Sequence, residues 1–354
     1  MLRIRPLFSR DLLLFASLKT APQTHQLAIL SFIRFTFEET DNLFLLCQMR
    51  NYKKREEYGE KGKGYYHFCT DGLKTGKLFY TPAQFAFGMI LIGLLTIKYD
   101  LKVYAFVLMP NHIHIILSGT GENCVKAFDY LRKKISARLR EDGYYPLPDE
   151  YDFVLLDIKD QNQMRGEIAY VLRNPLEKNY STPEGYKWGS GWIYHSSIKD
   201  AVSGKKVDEM SGREVWRMTS TRDNLPGNWI FNPDLGLLPG SFVDTALVYK
   251  LFPTAKDLEV AMVKDYESYV RIAKTLNDEI EYSKQELKGI VEQVLQSHFD
   301  GQSLDEMTLD SKYRLAAILS GKYNLTSLQI SQSIILKETI VRQVLNSKDY
   351  RYYK

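Results

Sequence analysis

Cysteine is scarce in this chain of 354 residues: Cys47, Cys69 and Cys124 lie far apart and form no CxxC pair. That spacing excludes a disulfide framework and a cysteine-built structural zinc site, and it fits a reducing compartment. No apolar run reaches the roughly 18–20 residues needed to span a bilayer. There is no GxxxxGK[ST] loop to cradle a triphosphate, so chemistry driven by nucleotide hydrolysis through such a loop is excluded. Internal repeats and low-complexity tracts are absent as well. The surplus of positive charge is small, +4 overall, and does not by itself argue for nucleic acid. The apolar start, MLRIRPLFSRDLLLFASLKTA, is broken by Arg10 and Asp11 and lacks a convincing cleavage site. It is read as the N-terminal extension of a cytoplasmic protein.

What is present is an ordinary globular composition, 44% hydrophobic and 25% charged, in a chain long enough for two or three modules. The positive charge is clustered. Residues 50–63 (RNYKKREEYGEKGK) carry six basic and three acidic residues, and residues 126–140 (KAFDYLRKKISARLR) carry six basic and one acidic. The 24 tyrosines supply rings that can fill a core or stack on bases.

The pattern of elements is legible. Tyr65–Thr70 has strand composition, with turns at Asp71-Gly72 and Thr75-Gly76. Thr81-Pro82 starts a helix, with Thr as N-cap and Pro in the first turn. Lys102–Met109 and His112–Ser118 are apolar strands joined tightly at Pro110-Asn111, a hairpin. Asn123–Arg140 reads as a basic amphipathic helix with Val125, Phe128, Leu131, Ile135 and Leu139 on one stripe. Asp152–Ile158 is a further strand, and Gln161–Arg173 a helix stopped or kinked by Asn174-Pro175. The resulting βαββαβ order predicts an α+β, ferredoxin-like (split βαβ) domain with an antiparallel sheet and the histidines on a central strand. Residues 201–242 are polar and rich in Gly and Pro, a long connection or ordered flap. Residues 243–354 read as helices. There Thr326 caps Ser327–Ser333 and Lys337–Leu345 follows, so that about 310–346 resembles a helix-turn-helix.

The chemistry centres on VYAFVLMPNHIHIILS, residues 103–118. A strand places His112 and His114 on one face, about 6–7 Å apart, and each ring must find a hydrogen-bond or metal partner in so apolar a segment. Downstream, EIAYVLRNP sets Glu167, Tyr170 and Asn174 on one helical stripe. A phenol is a nucleophile once a cation stabilises the charge left when its proton goes. Asn174, or alternatively Glu167, would complete a metal site suited to Mg²⁺ or Mn²⁺. Alone, an HxH pair or a tyrosine on an amphipathic helix is ordinary; it is their joint occurrence that points to a reaction.

These residues resemble those of the single-tyrosine HUH transposases, and in particular the REP-associated tyrosine transposases. His112-Ile113-His114 matches the HUH pattern, Tyr170 stands four residues before Asn174-Pro175, and Tyr66-His67 and Trp188-Gly189-Ser190 echo flanking features. The resemblance spans roughly residues 50–195. It implies cleavage and rejoining of single-stranded, hairpin-bearing DNA through a 5′-phosphotyrosine link, with Tyr170 as nucleophile and His112, His114 and Asn174 holding a divalent metal. It further implies a backbone track along Lys53, Lys54, Arg55, Arg132, Lys133, Lys134 and Arg138. A homodimer that exchanges the tyrosine helix and a monomer are both open. The module boundaries follow: 1–60 extension and basic linker, 61–200 catalytic domain, 201–242 connection and 243–354 helical domain. The rivals are a DNA-binding regulator with an idle site and a metal-dependent phosphoesterase without a covalent step.

Overall fold

The computed structural model describes residues 54–350 apart from 71–75, 178–180, 265, 277–281, 283 and 324. The N-terminal extension, Lys53, Cys47 and the turn at Asp71-Gly72 lie outside the described residues, as does Thr75 of the second expected turn. The chain divides into two compact units, Met1–Glu57 and Tyr58–Lys354. Of the first, only residues 54–57 are described; they are helical, and Lys54 and Arg55 are half-buried there.

The second unit is built on a four-stranded sheet of β1 (Gly64–Thr70), β2 (Lys102–Leu108), β3 (Ile113–Gly119) and β4 (Phe153–Ile158), in the spatial order β2-β3-β1-β4. Every pairing is antiparallel. The helices α1 (Pro82–Lys98) and α2 (Gly121–Glu141) interrupt the strands, and α3 (Gln161–Glu177) follows the last. Each helix begins where a side chain can take an orphan N–H. Thr81 and Gln84 form a capping box on α1 with Pro82 at the first position, Thr120 accepts from the amide of Asn123, and Asp160 accepts from that of Gln163. The β2–β3 loop is closed by Met109 N–H donating to His112 O at 2.8 Å, so His112 stands at the very end of the hairpin.

Register fixes which side chains share a face. Cys69 is opposite His114, and His67 opposite Ile116, so Cys69, His114 and His67 point to one side of the sheet. The other side carries Phe68, which stacks on Phe153 at 4.9 Å between centroids, while Phe128 of α2 stacks on Phe153 at 4.6 Å. That aromatic layer is the core between the sheet and α2. On the histidine side lies α3. It was expected to end near Arg173 but continues to Glu177 through Pro175. So close to the C-terminal end a proline removes only one backbone hydrogen bond, and its fixed φ suits the helix.

The outer edge of β2 is covered. Leu108 N–H donates to Trp188 O, Ser190 N–H donates to Phe106 O and Asp244 N–H donates to Val103 O. An unpaired strand edge would otherwise invite another chain. Gly189 lies so close that a Cβ there would come within 2.9 Å of Phe106 O.

Residues 201–242 are an ordered element. β5 (Lys205–Lys206), β6 (Ile230–Asn232) and β7 (Gly236–Leu237) form a small antiparallel sheet, with α4 (Gly212–Thr219) between the first two strands. Trp229, Phe231 and Leu237 bury against Ile90 and Leu94 of α1. α1 is thus covered on two sides, which explains why its sequence, PAQFAFGMILIGLLTIK, is apolar almost all round. After a short helix at Ala246–Leu251, the helices of eight or more residues are α5 (Ala255–Lys264), α6 (Tyr266–Leu276), α7 (Lys284–His298), α8 (Leu309–Tyr323), α9 (Ser327–Ile334) and α10 (Glu338–Asn346). Among the described residues no helix is long and apolar enough to cross a membrane.

Gly236 meets two demands at once: its φ is +73°, and a Cβ there would lie 2.2 Å from Ala86 O of α1. Gly236→Ala should therefore cost about 2–4 kcal/mol, the sum of a left-handed backbone penalty and an overpacked contact. A urea midpoint equal to that of the wild type would show that β7 does not press on α1 in this way.

Candidate functional site

Each polar group at the site is placed by an element already described. β1 carries His67 and Cys69, the end of the hairpin carries His112 and β3 carries His114. One face of α3 carries Glu167, Tyr170 and Asn174. A helix repeats every 3.6 residues, so positions 167, 170 and 174 face the sheet together, and all three are buried along with the three histidines.

Two hydrogen-bonded chains run from the helix to the sheet. In the first, Glu167 Oε2 accepts from His67 Nδ1 at 2.6 Å, and His67 Nε2 faces His114 Nδ1 at 3.0 Å. With Glu167 as the acceptor, His67 donates through Nδ1, and one proton is shared across the contact between His67 Nε2 and His114 Nδ1. The other ring nitrogen of His114, Nε2, lies 3.9 Å from Cys69 Sγ. In the second chain, Asn111 Oδ1 lies 2.8 Å from His112 Nδ1, and His112 Nε2 faces Asn174 Oδ1 at 3.2 Å. The Asn174 amide is oriented by its own nitrogen, which donates to Tyr170 O at 3.1 Å.

This second chain has a chemical consequence. Asn174 Oδ1, whose amide nitrogen is engaged with Tyr170 O, can only accept, so His112 Nε2 either donates to it or shares a cation with it across 3.2 Å. Two donors on adjacent corners of an octahedral ion, each at about 2.1 Å, stand about 3 Å apart. The pair is therefore spaced as metal ligands are. Among the described residues no three His, Cys, Asp or Glu side chains gather as a metal group, so an ion here would rest on imidazoles and an amide oxygen. Glu167 is engaged instead with His67.

Tyr170 lies against both chains. Its ring meets His114 edge-on at 5.5 Å and His67 at 5.9 Å, and Tyr269 of α6 covers it at 5.8 Å. Its exposure is 0%. Beside it Arg173, equally buried, stacks on Tyr269 with 4.3 Å to the ring centroid, donates to Met262 O at 3.1 Å and pairs with Glu286 of α7. α3 is thus held between the sheet and the C-terminal helices. Arg173, Tyr269 and Glu286 were not singled out from the sequence. The signal available was a charged residue directly after the apolar run IAYVL and within the same helix, which once buried requires a partner.

The basic residues are placed elsewhere. Arg132, Lys133, Lys134 and Arg138 belong to α2, whose Phe128 packs on the face of the sheet opposite the histidines. Arg132 pairs with Asp149 and Arg138 with Asp142, and Lys134 lies over the Tyr130 ring. The sheet separates all four from Tyr170.

No family model and no curated protein matches the chain. Among solved structures, that of a REP-associated tyrosine transposase bound to a REP hairpin matches with 13% identity. The match covers 48% of this chain and 92% of that one, with a TM-score of 0.31. A likeness at this level assigns no activity, and the chain has to be understood from its own residues.

The buried Arg173–Glu286 pair makes a stability prediction. Glu286→Ala should cost about 3–5 kcal/mol by leaving a guanidinium buried without its carboxylate, whereas Arg173→Met combined with Glu286→Leu should recover most of that loss. Equal urea midpoints for the single and double variants would refute the buried pairing.

Proposed function

We propose that this protein is a DNA strand transferase of the HUH single-tyrosine type, a transposase-like enzyme that cleaves and rejoins single-stranded DNA. One observation carries the reading: His112, His114, Tyr170 and Asn174, drawn from two distant segments, meet in one buried site with the phenol against the histidines. The βαββαβ order and the β2-β3-β1-β4 arrangement support reading the sheet as ferredoxin-like.

In this reading Tyr170 Oη attacks the phosphorus of a DNA phosphodiester. The new bond joins the phenolic oxygen to the 5′-phosphate, the bond to the 3′-oxygen breaks, the phenol gives up its proton and the departing 3′-oxygen takes one up. Attack by a 3′-hydroxyl reverses the step, so rejoining requires no nucleotide. A divalent ion such as Mg²⁺ or Mn²⁺, held by His112, His114 and Asn174, supplies polarisation of the scissile phosphate when bound. His67 and Glu167 fix the tautomer of His114, as a carboxylate–imidazole pair does behind a metal ligand. Tyr170 lies beside His114 of its own chain, which supports action in cis. With Tyr170 fully buried, the helices over α3 have to part before DNA reaches the phenol.

That same burial favours a second reading, in which the protein binds DNA and this cluster only holds the fold together. Incubation with single-stranded hairpin oligonucleotides, scored for covalent adducts, separates the two. On the first reading, wild type forms adducts and Tyr170→Phe forms none while still binding DNA; adducts that persist in the variant would remove Tyr170 as the nucleophile. His112→Ala should lose cleavage that depends on Mg²⁺ or Mn²⁺, by about 10²-fold or more. Wild-type cleavage that continued unchanged in EDTA would end the metal role.

A further inference from the structure

The last three helices pack on one another and carry a surface that the Tyr170 chemistry does not use. Leu315 and Leu319 of α8, Ile330 and Ile334 of α9, and Val341 of α10 belong to one buried cluster. α9 starts on a capping box, Thr326 with Gln329, and only Ile335–Lys337 separate it from α10. In that three-residue turn Ile335 takes φ 55°, the left-handed conformation that usually falls to glycine. Ser327 at the start of α9 donates to Glu338 at the start of α10, at 3.1 Å. A short helix, a three-residue turn with one left-handed residue and a second helix packed on it constitute a helix-turn-helix.

What distinguishes α10 is its outer face. Thr339, Arg342, Gln343 and Asn346 stand at i, i+3, i+4 and i+7 and are all exposed. These side-chain types are suited to base edges in the major groove: Arg pairs bidentately with guanine, Gln and Asn with adenine, and the Thr methyl packs on thymine. The helix is about 13 Å long and fits a groove about 12 Å wide. Residues 309–350 hold six Lys or Arg against three Asp or Glu, and Lys337 and Lys348 are exposed at the two ends of α10, where they can meet phosphates. Arg342 is paired with Glu338, its own i−4 neighbour, at 68% exposure. So exposed a pair is weak and easily exchanged for a base.

We propose that α8–α10 bind double-stranded DNA sequence-specifically, with α10 as the helix that enters the major groove. The surface is separate from Tyr170, and the inference stands whether or not that residue cuts DNA.

The full chain, incubated with a library of duplex DNA carrying a randomised core, should enrich a defined motif. Fluorescence anisotropy should then show a preference for that duplex over a scrambled one and over its single strand. Arg342→Ala and Gln343→Ala should each reduce the preference by roughly ten- to hundredfold while binding to the scrambled duplex changes little. Both sites are exposed, so circular dichroism should stay that of the wild type. Asn346→Ala provides a third independent variant should either fold poorly. Failure of the wild type to enrich any motif, equal binding of the single strand, or an undiminished preference in the folded variants would each overturn the proposal.

Discussion

A carboxylate removed from water must be paired or protonated, and two imidazoles in a dry core must each dispose of two ring nitrogens. In this protein the two demands meet one another. Glu167 binds His67, and His67 binds His114, so one chain of hydrogen bonds links α3 to both central strands. Removing any member would strand the others without partners, at a cost of about 1–3 kcal/mol for each orphaned group. The orientation of His114, the position of Tyr170 and the seating of α3 on the sheet all depend on this chain.

α3 belongs to two interfaces. Its sheet-facing residues are polar and form the site, while Arg173 turns the other way, into Tyr269 and Glu286. Residues 167–175 of α3 are all buried, and this part of the helix cannot shift on one side without disturbing the other, because packed interiors do not deform smoothly. The C-terminal helices therefore bear on the site through the packing of α3. α1 is in a similar position, packed against the sheet on one side and against β7 on the other, with Gly236 allowing the approach.

Much of this was written in the sequence. The apolar runs of the strands, the Thr81-Pro82 start, the Pro110-Asn111 hairpin and the Thr326 cap are local signals, and each element stands within a few residues of where they place it. The spacing of Glu167, Tyr170 and Asn174 foretold that the three share a face. It did not foretell that Glu167 serves His67, because pairing across 100 residues leaves no local trace. Pro175 was misleading for the opposite reason: its effect depends on how much helix follows, which packing decides. The small sheet of β5–β7 was hidden because strands of two or three residues have no measurable periodicity. The side of the sheet taken by α2, and with it the placement of Lys133 and Lys134, is set by strand order, which the sequence does not print.

The partners in the site are far apart along the chain: 47 residues from His67 to His114, 62 from His112 to Asn174 and 100 from His67 to Glu167. Contacts of such separation form late, since the entropy of closing a long loop is lost before any contact offsets it. On the ribosome the hairpin with both histidines emerges well before α3, and until then His114 has neither the orienting chain nor the phenol beside it. The site is thus a property of the sheet and α3 together, and a chain that ends before α3 lacks Glu167, Tyr170 and Asn174.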